Sequence, residues 1–398
     1  MPFKKLSDLN LAGKNVLVRV DFNVPLSIDE AGERTVDDDT RIRAAIPTIE
    51  YILRAGGKAI LISHLGRPKG ERNPDFGMAP VGRHLSLLLG LPVVIAPDVS
   101  GPEVEEIVAS TGPGEVVLLE NVRFDPGETV NDADLSGDLA RLADVYVNDA
   151  FGTSHRAHAS TAGVAHLVRD KGAGLLLQRE LETLSRIVNH PEAPFVAIVG
   201  GAKVSDKIGI IEKLLESVDH LLIGGAMAYT FMKAQGHETG TSLTEDDKLD
   251  LARSVLQAAG NRIHLPVDHV CADTFSNDAP SVITENEIPS GKMGLDIGPK
   301  TSALYADLIR EARTVVWNGP MGVFEMSSFA AGTHAVASAV VEATDSGAFT
   351  VVGGGDSVSA IVGAGLADRV SHVSTGGGAM LELLEGKELP GVAALETS

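Results

Sequence analysis

The chain has 398 residues and a formal net charge of −21 at pH 7, with a single cysteine, Cys271. The length predicts two domains, the negative charge disfavours nucleic acids and anionic membranes as partners, and the lone cysteine excludes an intrachain disulfide. The sequence also lacks an apolar run long enough to span a bilayer and the apolar core of a signal peptide, so we expect a cytoplasmic protein.

The first half of the chain predicts a parallel sheet whose strands end in polar or cationic residues. Strand-like runs cover residues 15–20, 58–63, 115–119 and 144–148, and a helical pattern opens at Arg41. The acidic segment Ser27–Asp39 is interpreted as a surface loop. The side chains just past the four strand ends are Asp21 and Asn23, then His64 and Arg67, then Arg123, then His155, Arg156 and His158.

These strand ends predict a site for a small polyanion. Ligands of open α/β sheets bind outside the carboxyl ends of the strands, and the planar fork of arginine matches phosphate and carboxylate groups. The four arginines that can meet there are Arg41, Arg67, Arg123 and Arg156. For any one of them alone a surface salt bridge is the simpler interpretation, and His155 and His158 are interpreted as hydrogen-bonded loop residues.

A second anion site is predicted at Phe195–Lys207. The apolar run Phe195–Val199 indicates a buried strand that stops at two glycines, and we expect Lys203 and Lys207 to lie on the first turns of a helix. Free backbone N–H groups and the positive end of the helix dipole would attract an anion there. A tight strand-to-helix turn with two solvated lysines is the alternative. The segment matches neither G-x-x-x-x-G-K-[ST] nor G-x-G-x-x-G.

Strand-then-glycine signals recur through the second half and predict a second parallel sheet. The glycine-containing segments are residues 224–225, 318–322, 353–356 and 375–378. The glycines at 353–355 would let a ligand approach the backbone closely. Asp356 is either a helix N-cap or a ligand for Mg²⁺ held on nucleotide phosphates. Glu325 either accepts a hydrogen bond from a ribose hydroxyl or faces water.

A helical stretch over residues 175–189 joins the two halves, and Pro191 and Pro194 precede the next strand. No flexible Gly/Ser linker occurs there, so we expect a stiff helical connection. We therefore predict a first domain at residues 1–174, a connecting helix at residues 175–189 and a second domain at residues 190–385.

Seven motifs in order resemble the phosphoglycerate kinase family over essentially the whole chain. They are Asp21-Phe-Asn-Val-Pro25, His64-Leu-Gly-Arg67, Gly201-Ala-Lys-Val-Ser-Asp-Lys207, Gly294-Leu-Asp-Ile-Gly-Pro299, Trp317-Asn-Gly-Pro-Met-Gly-Val-Phe-Glu325, Gly353-Gly-Gly-Asp356 and Ser374-Thr-Gly-Gly-Gly-Ala379. The resemblance implies reversible phosphoryl transfer from 1,3-bisphosphoglycerate to ADP, which gives 3-phosphoglycerate and ATP in glycolysis or gluconeogenesis. It also implies two Rossmann-like domains facing across a hinged cleft, with residues 386–398 returning to the first domain.

The resemblance further implies roles for the residues at matching positions. Phosphoglycerate would be held by Asp21, Asn23, Arg41, His64, Leu65, Gly66, Arg67, Arg123 and Arg156. The nucleotide would be held by Lys207, Gly294, Glu325, Gly353, Gly354, Gly355 and Asp356, with Asp356 as the Mg²⁺ ligand. Arg41 and Lys203 would stabilise the transferring group, and the enzyme would act as a monomer.

The residue inventory agrees with this chemistry. The acceptor of the reverse reaction is a carboxylate that is already ionised at neutral pH, so no general base is required. Neutralising the charge of a loose, in-line transition state and excluding water are sufficient. Two alternatives stay open. One is a catalytically inactive sensor that binds phosphoglycerate or a nucleotide. The other is a nicotinamide-dependent dehydrogenase, although this chain lacks the usual G-x-G-x-x-G after its first strand.

Overall fold

The computed structural model describes residues 3–396, and the chain divides into two compact units. The first unit ends at Glu182 and includes the chain again from Glu388, and the second unit is Thr183–Lys387. Each unit is built around one six-stranded parallel sheet with helices in its connections. The prediction of two α/β domains, each with a parallel sheet, is therefore confirmed.

The first unit contains the parallel sheet β5-β6-β4-β1-β7-β8 and a separate two-stranded hairpin, β2-β3. Its strands are β1 (Asn15–Arg19), β2 (Leu26–Ile28), β3 (Arg34–Val36), β4 (Lys58–Ile62), β5 (Val93–Ile95), β6 (Val116–Leu118), β7 (Val145–Asn148) and β8 (Asp170–Ala173). Its helices are α1 (Thr40–Arg54), α2 (Ala79–Leu89), α3 (Pro102–Ser110), α4 (Ala133–Arg141) and α5 (Val164–Leu167), with a π-helical turn at Ala159–Gly163. Helix α6 (Leu175–Asn189) crosses the division between the units.

The four strands with polar or cationic ends are neighbours in this sheet, in the order β6-β4-β1-β7. All of their pairings are parallel, so their carboxyl ends lie at one edge. Every residue of β4, β6 and β7 is buried, as expected for a sheet covered on both faces. Burying each large aliphatic side chain stabilises the folded sheet by about 1.5–3 kcal/mol. The buried strands therefore hold the polar residues that follow them at this one edge of the sheet.

The segment Ser27–Asp39 is not simply a surface loop, because β2 and β3 pair there as an antiparallel hairpin. The hairpin's strands have only three residues each, and most of its residues are at least partly exposed. Such short, solvated strands lack the alternation of apolar and polar residues that identifies a strand in a sequence. The prediction of a loop was wrong for this physical reason.

The second unit contains the parallel sheet β11-β10-β9-β15-β16-β17 and the antiparallel sheet β13-β12-β14. Its strands are β9 (Phe195–Val199), β10 (His220–Ile223), β11 (Ile263–His264), β12 (Asp268–Ala272), β13 (Val282–Glu285), β14 (Met293–Ile297), β15 (Thr314–Asn318), β16 (Phe349–Gly353) and β17 (His372–Val373). Its helices are α7 (Ile208–Leu214), α8 (Met227–Ala234), α9 (Leu249–Ala259), α10 (Pro299–Glu311), α11 (Ala331–Asp345), α12 (Gly355–Gly363) and α13 (Gly377–Leu384). The antiparallel sheet is an addition that the sequence did not predict.

The last described segment belongs to the first unit and carries helix α14 (Pro390–Ala393). The Asn148 side-chain amide donates to the carbonyl oxygen of Gly391 at 2.9 Å, and the Gly391 N–H donates to the carbonyl oxygen of Ser154 at 2.8 Å. A side chain at position 391 would lie in tight contact with the Ser154 backbone, so this close approach favours glycine. Leu389 and Leu395 are buried on either side. Within residues 3–396, no helix combines the length and apolarity that a membrane crossing requires.

A buried histidine in the antiparallel sheet is an electrostatic weak point of the second unit. His269 on β12 is fully buried against the edge of the Tyr229 ring, and neither ring nitrogen has a hydrogen-bond partner among the described residues. Burial lowers the pKa of His269 to about 4, although Asp268 opposes this shift. The folded unit therefore holds His269 neutral at pH values where the unfolded chain protonates it.

Replacing this histidine should make the second unit more tolerant of acid. Because the folded pKa lies below the unfolded value of about 6.5, the stability associated with neutral His269 is lost as the pH falls from 6.5 towards 4. We expect a loss of about 2–3 kcal/mol between pH 7 and pH 4.5 that His269→Phe abolishes. Urea midpoints at the two pH values measure this, with the exposed His190→Phe as control. An equal acid sensitivity of wild type and His269→Phe would contradict the assignment.

Candidate functional site

The loops after β1, β4 and β6 are joined by hydrogen bonds that run from side chain to backbone. Asn23 accepts the Gly66 N–H at 2.8 Å through its side-chain oxygen, and Arg123 donates to the Gly66 carbonyl oxygen at 2.7 Å. The fully buried side chain of Asn121 bonds both the N–H and the carbonyl oxygen of Leu65 and also accepts the N–H of Arg123. The predicted residues of three different strand ends are thereby held in one assembly.

Arg41 reaches this assembly from the first turn of α1. Its guanidinium donates to the Asp21 carboxylate at 3.1 Å and to the Asn23 carbonyl oxygen at 3.2 Å. The Arg41 side chain is 39% exposed, so solvent screens this ion pair and leaves the guanidinium open to a ligand. Asp21 lies near His64 as well, with 4.0 Å between a carboxylate oxygen and Nδ1 of the imidazole.

The arginines after β4, β6 and β7 line a common cavity of about 360 Å³. Its lining residues are Arg67, Lys69, Gly70, Arg123, Asp125, Pro126, Thr129, Arg156 and His158. Four of these residues are permanently cationic near neutral pH and one is a carboxylate, so the cavity suits an anion. Three of the four predicted arginines therefore meet in one cavity, and Arg41 is linked to them through Asn23.

Burial and the concentration of positive charge both lower pKa values in this site. Burial, followed by the nearby Arg19 and Arg156, lowers the pKa of Arg123 to about 10. Burial lowers the pKa of His64 well below its usual value, and the surrounding arginines add to that shift. His64 is therefore neutral at physiological pH, and the guanidinium groups carry the positive charge of the site.

Several residues of this site did not stand out in the sequence. Arg19 is the last residue of β1 and was interpreted only as part of a strand, yet it is fully buried beside His64. Glu128 and Ser160 are fully buried behind it. His158 lines the cavity, although its sequence context suggested only a hydrogen-bonded loop residue. Lys69 is a further cationic residue after β4, and its position just past the end of a predicted strand could have identified it from the sequence.

Lys203 and Lys207 do not lie on a helix, which corrects the sequence prediction. Helix α7 begins at Ile208, so both lysines belong to the loop after β9. Lys203 is exposed and forms no ion pair within residues 3–396, whereas Lys207 donates to the side-chain oxygen of Asn318 at the end of β15. The pKa of Lys207 is lowered by burial, and Asp356 is the first of the carboxylates that oppose this shift.

Glycines let the loops after β9, β15 and β16 pack backbone against backbone. Gly319 has a φ of +106° and lies against Gly200, and a side chain at either position would collide with the other loop. Gly354 has a φ of +90° and lies beside the Asn318 amide. The Asn318 side-chain nitrogen is buried without a hydrogen-bond partner among the described residues, which is uncommon for a buried polar group and marks this contact between the loops.

Asp356 is not the N-cap of α12, because Gly354 occupies that position. Its carboxylate is exposed in the first turn of the helix and has no hydrogen-bond partner in the described part of the chain. Glu325 is exposed in the loop after β15, and Val323 of that loop donates to the carbonyl oxygen of Leu295 on β14. Gly294 lies inside β14 against the Tyr229 hydroxyl, where no side chain would fit.

The structure therefore supports two clusters, one in each unit. Asp21, Asn23, Arg41, His64, Leu65, Gly66, Arg67, Arg123 and Arg156 belong to the first unit's cluster. In the second unit, Asp356 raises the pKa that burial lowers in Lys207, and Gly354 lies beside Asn318, the partner of Lys207. Gly294 lies on β14, and Glu325 lies in the loop after β15 that contacts β14. Among the described residues, no group of three or more His, Cys, Asp or Glu side chains is arranged to bind a metal ion.

Comparison with known proteins identifies one family throughout. The sequence model of the family described as "Phosphoglycerate kinase" matches residues 6–387. The phosphoglycerate kinase of Salinibacter ruber is 56% identical over 390 residues and covers 98% of both chains. That of Chlorobium phaeovibrioides is 54% identical over 399 residues, which is 99% of this chain and 100% of the relative.

Solved structures give the same result. The phosphoglycerate kinase of Coxiella burnetii superposes with a TM-score of 0.87 at 43% identity, over 99% of both chains. The phosphoglycerate kinase of Pyrococcus horikoshii OT3 superposes with a TM-score of 0.85 at 32% identity, over 98% of both chains. The likeness covers the whole length of each chain, so both units are included in it.

Proposed function

Because this chain belongs to the phosphoglycerate kinase family, we propose that its two clusters divide the substrates between them. The reaction is the reversible transfer of a phosphoryl group between 1,3-bisphosphoglycerate and ADP, which gives 3-phosphoglycerate and ATP in glycolysis. The observation that carries the division is the cavity of the first unit, where three arginines and Lys69 surround a space for an anion. No observation favours a sensor that binds the ligands without catalysis, and the candidate catalytic residues Arg41 and Lys203 are both present.

The first unit's cluster would hold phosphoglycerate. The phosphate would occupy the cavity of Arg67, Arg123 and Arg156, where each arginine can offer paired N–H groups. Asp21 would accept a hydrogen bond from the hydroxyl group, and the Asn23 side-chain amide would donate one to it. Arg41 is the most open guanidinium that is tied to this assembly by hydrogen bonds, which supports its role beside the carboxylate and the transferring group.

The second unit's cluster would hold the nucleotide. The glycine loops after β9, β15 and β16 leave no side chains between the ligand and the backbone N–H groups. Lys207 in the loop after β9 and the Asn318 amide at the end of β15 face this region. Glu325 would accept a hydrogen bond from a ribose hydroxyl. Lys203 has an exposed, unpaired ammonium group in the described chain and would stabilise the transferring phosphoryl group.

Mg²⁺ fits the cluster through one carboxylate. Mg²⁺ is commonly held by one or two carboxylates together with phosphate oxygens and water, and the Asp356 carboxylate is exposed and unpaired among the described residues. When bound, the ion would neutralise phosphate charge. The helix end at Gly354 and Gly355 supplies N–H groups beside it.

The mechanism requires placement and charge rather than proton transfer. The carboxylate acceptor of the reverse reaction is ionised at neutral pH, and neutral His64 can donate a hydrogen bond without taking a proton. Direct transfer requires the reacting oxygen and phosphorus to approach to about 3–3.5 Å. The division into residues 1–174, 175–189, 190–385 and 386–398, a hinge in the connecting helix, a monomeric state and a cytoplasmic location remain predictions from the sequence.

Lys203→Ala should reduce turnover far more than nucleotide affinity. Loss of one preorganised donor to a developing charge typically lowers the rate by about 10²–10³, while Lys207 and the glycine loops still bind the nucleotide. A coupled assay with ATP and 3-phosphoglycerate gives kcat, and calorimetry gives the Kd for ADP. Lys213→Ala is the control, because this lysine pairs with Glu216 on the surface of the same unit. A kcat for Lys203→Ala within a few-fold of wild type would remove Lys203 from the mechanism.

Arg67→Ala should weaken 3-phosphoglycerate binding and leave ADP binding nearly unchanged. Arg67 is exposed in the cavity without an ion pair in the described chain, so its charge is available to the ligand. Loss of a hydrogen bond between charged groups corresponds to about a 10–100-fold weaker Kd. Calorimetry with each ligand measures both constants, with Arg72→Ala as control because Arg72 pairs with Asp98. Equal losses for the two ligands would argue against the division of substrates.

Asp356→Asn should remove the effect of Mg²⁺ on ATP binding. The amide keeps the shape of the side chain but loses the charge that attracts the ion. The ratio of the Kd for ATP in EDTA to that in Mg²⁺ should fall towards one in the variant. Asp345→Asn is the matched control, because this carboxylate pairs with Arg369 on the surface. A ratio unchanged from wild type would exclude Asp356 as the magnesium ligand.

A further inference from the structure

A buried ion pair lies directly behind the phosphoglycerate cluster. Arg19 and Glu128 are both fully buried, with 4.0 Å between a guanidinium nitrogen and a carboxylate oxygen. Ser160 bridges them, since its hydroxyl accepts from Arg19 Nε at 2.8 Å and donates to Glu128 at 2.6 Å. The Ser160 N–H donates to the other oxygen of Glu128 at 2.9 Å. Nδ1 of His158 also lies 3.5 Å from the Glu128 carboxylate. Glu128 therefore acts on Arg19 through its charge and through Ser160, because the direct distance of 4.0 Å is too long for a hydrogen bond.

Arg19 directs its remaining donors forward, towards His64. One guanidinium nitrogen donates to the Val20 carbonyl oxygen, and the other lies 3.3 Å from Nδ1 of His64. A guanidinium has five N–H donors and no acceptor. Nδ1 must therefore be the acceptor in this contact, which places the single proton of a neutral imidazole on Nε2.

The surroundings of His64 do not oppose this tautomer. The nearest carboxylate, Asp21, lies 4.0 Å from Nδ1, which is too long for a hydrogen bond from a protonated Nδ1. Burial and the surrounding arginines keep the ring neutral by lowering its pKa. Without Arg19 either nitrogen of the neutral ring could carry the proton.

We propose that Arg19, anchored by Glu128 and Ser160, is a positioning residue that fixes His64 as its Nε2–H tautomer for donation to phosphoglycerate. The inference rests on the proposed function, in which His64 contacts that substrate. The proposal assigns the substrate contact to Nε2, because Nδ1 is occupied by Arg19. With the proton on Nδ1, Nε2 would present a lone pair to the anion and repel it. The ion pair therefore acts on the substrate through His64 and touches no substrate atom itself.

The competing explanation is that the Arg19–Glu128 ion pair only stabilises the fold. The tautomer of His64 distinguishes this explanation from the proposal. Long-range ¹H–¹⁵N correlation spectra of protein labelled in the histidine rings distinguish a protonated nitrogen from an unprotonated one. The His64 signals are assigned by their absence from His64→Asn, and spectra are recorded at pH 7 without substrate. For wild type we expect protonated Nε2 and unprotonated Nδ1. A ring protonated on Nδ1, or on both nitrogens, overturns the proposal.

Two variants test the anchor. Arg19→Met with Glu128→Gln removes both charges, so neither is left buried alone, and protonated Nδ1 should then become populated. The Kd for 3-phosphoglycerate should rise roughly tenfold or more, as for the loss of a hydrogen bond to a charged group, while the Kd for ATP stays unchanged. Arg19→Lys retains a donor without an acceptor and should restore the Nε2–H tautomer. An unchanged tautomer in the double variant overturns the proposal.

The single variant Glu128→Gln keeps the test decisive if the double variant does not fold. Glutamine keeps one acceptor oxygen for Ser160, but its amide nitrogen cannot accept the second hydrogen bond from that residue, and Arg19 loses its charge partner. Protonated Nδ1 should therefore appear in part. An entirely unchanged tautomer and Kd would remove Glu128 from the proposal. Failure of the proposed function has a different signature: His64→Asn would bind 3-phosphoglycerate as tightly as wild type, whatever the tautomer of the free protein.

Discussion

The arginines of the first unit must be held in place without losing their positive charge to a protein carboxylate. The structure meets this requirement by giving them carbonyl oxygens as partners. Arg123 donates to the Gly66 carbonyl oxygen and Arg41 to that of Asn23, whereas Arg19, which lies behind them, is paired with Glu128. A carbonyl dipole orients a guanidinium but leaves its net charge for a ligand, whereas a carboxylate pair would cancel the charge. The exposed Arg41–Asp21 contact is weakened by solvent and can yield to a substrate.

This arrangement also explains how an acidic protein binds acidic substrates. The formal net charge of −21 repels phosphorylated molecules at long range. Salt screens that repulsion beyond about 8–10 Å, while the cavity concentrates four cationic side chains around about 360 Å³. The local charge therefore determines binding, and the buried carboxylate of Glu128 lies behind the cations, where it compensates Arg19.

The sequence predicted the residues at strand ends better than those that support them. Arg67, Arg123 and Arg156 could be found because buried parallel strands are recognisable and their ends share one edge. Arg19 was missed because a charged residue at the end of an apolar strand gives no sign of burial, and its partner Glu128 is 109 positions away in the sequence. Such pairings depend on tertiary packing that no local pattern records.

Local backbone geometry accounts for the other differences. The loop after β9 continues to Lys207 because it packs against Gly225 and Gly319, so the helix begins later than its apolar spacing suggested. The sequence correctly predicted that Asp356 lies at the start of a helix, but it left open whether Asp356 caps that helix. Only the backbone dihedral angles of the structure assign the N-cap of α12 to Gly354. The hairpin β2-β3 consists of three-residue strands, and the antiparallel sheet pairs β12 with β13 and β14 from separate segments, so pairing partners rather than propensity decide both structures.

The contact between Asn148 and Gly391 has a consequence for biosynthesis. These residues are 243 positions apart, and the second unit lies between them in the sequence. At a translation rate of about 5–20 residues per second, roughly 10–50 s pass before the ribosome adds the residue that Asn148 contacts. Throughout that interval the first unit lacks α14, whose Gly391 N–H donates to Ser154 in the loop that carries Arg156. The backbone of the loop that carries Arg156 therefore gains its hydrogen bond from Gly391 only after the whole second unit has been synthesised.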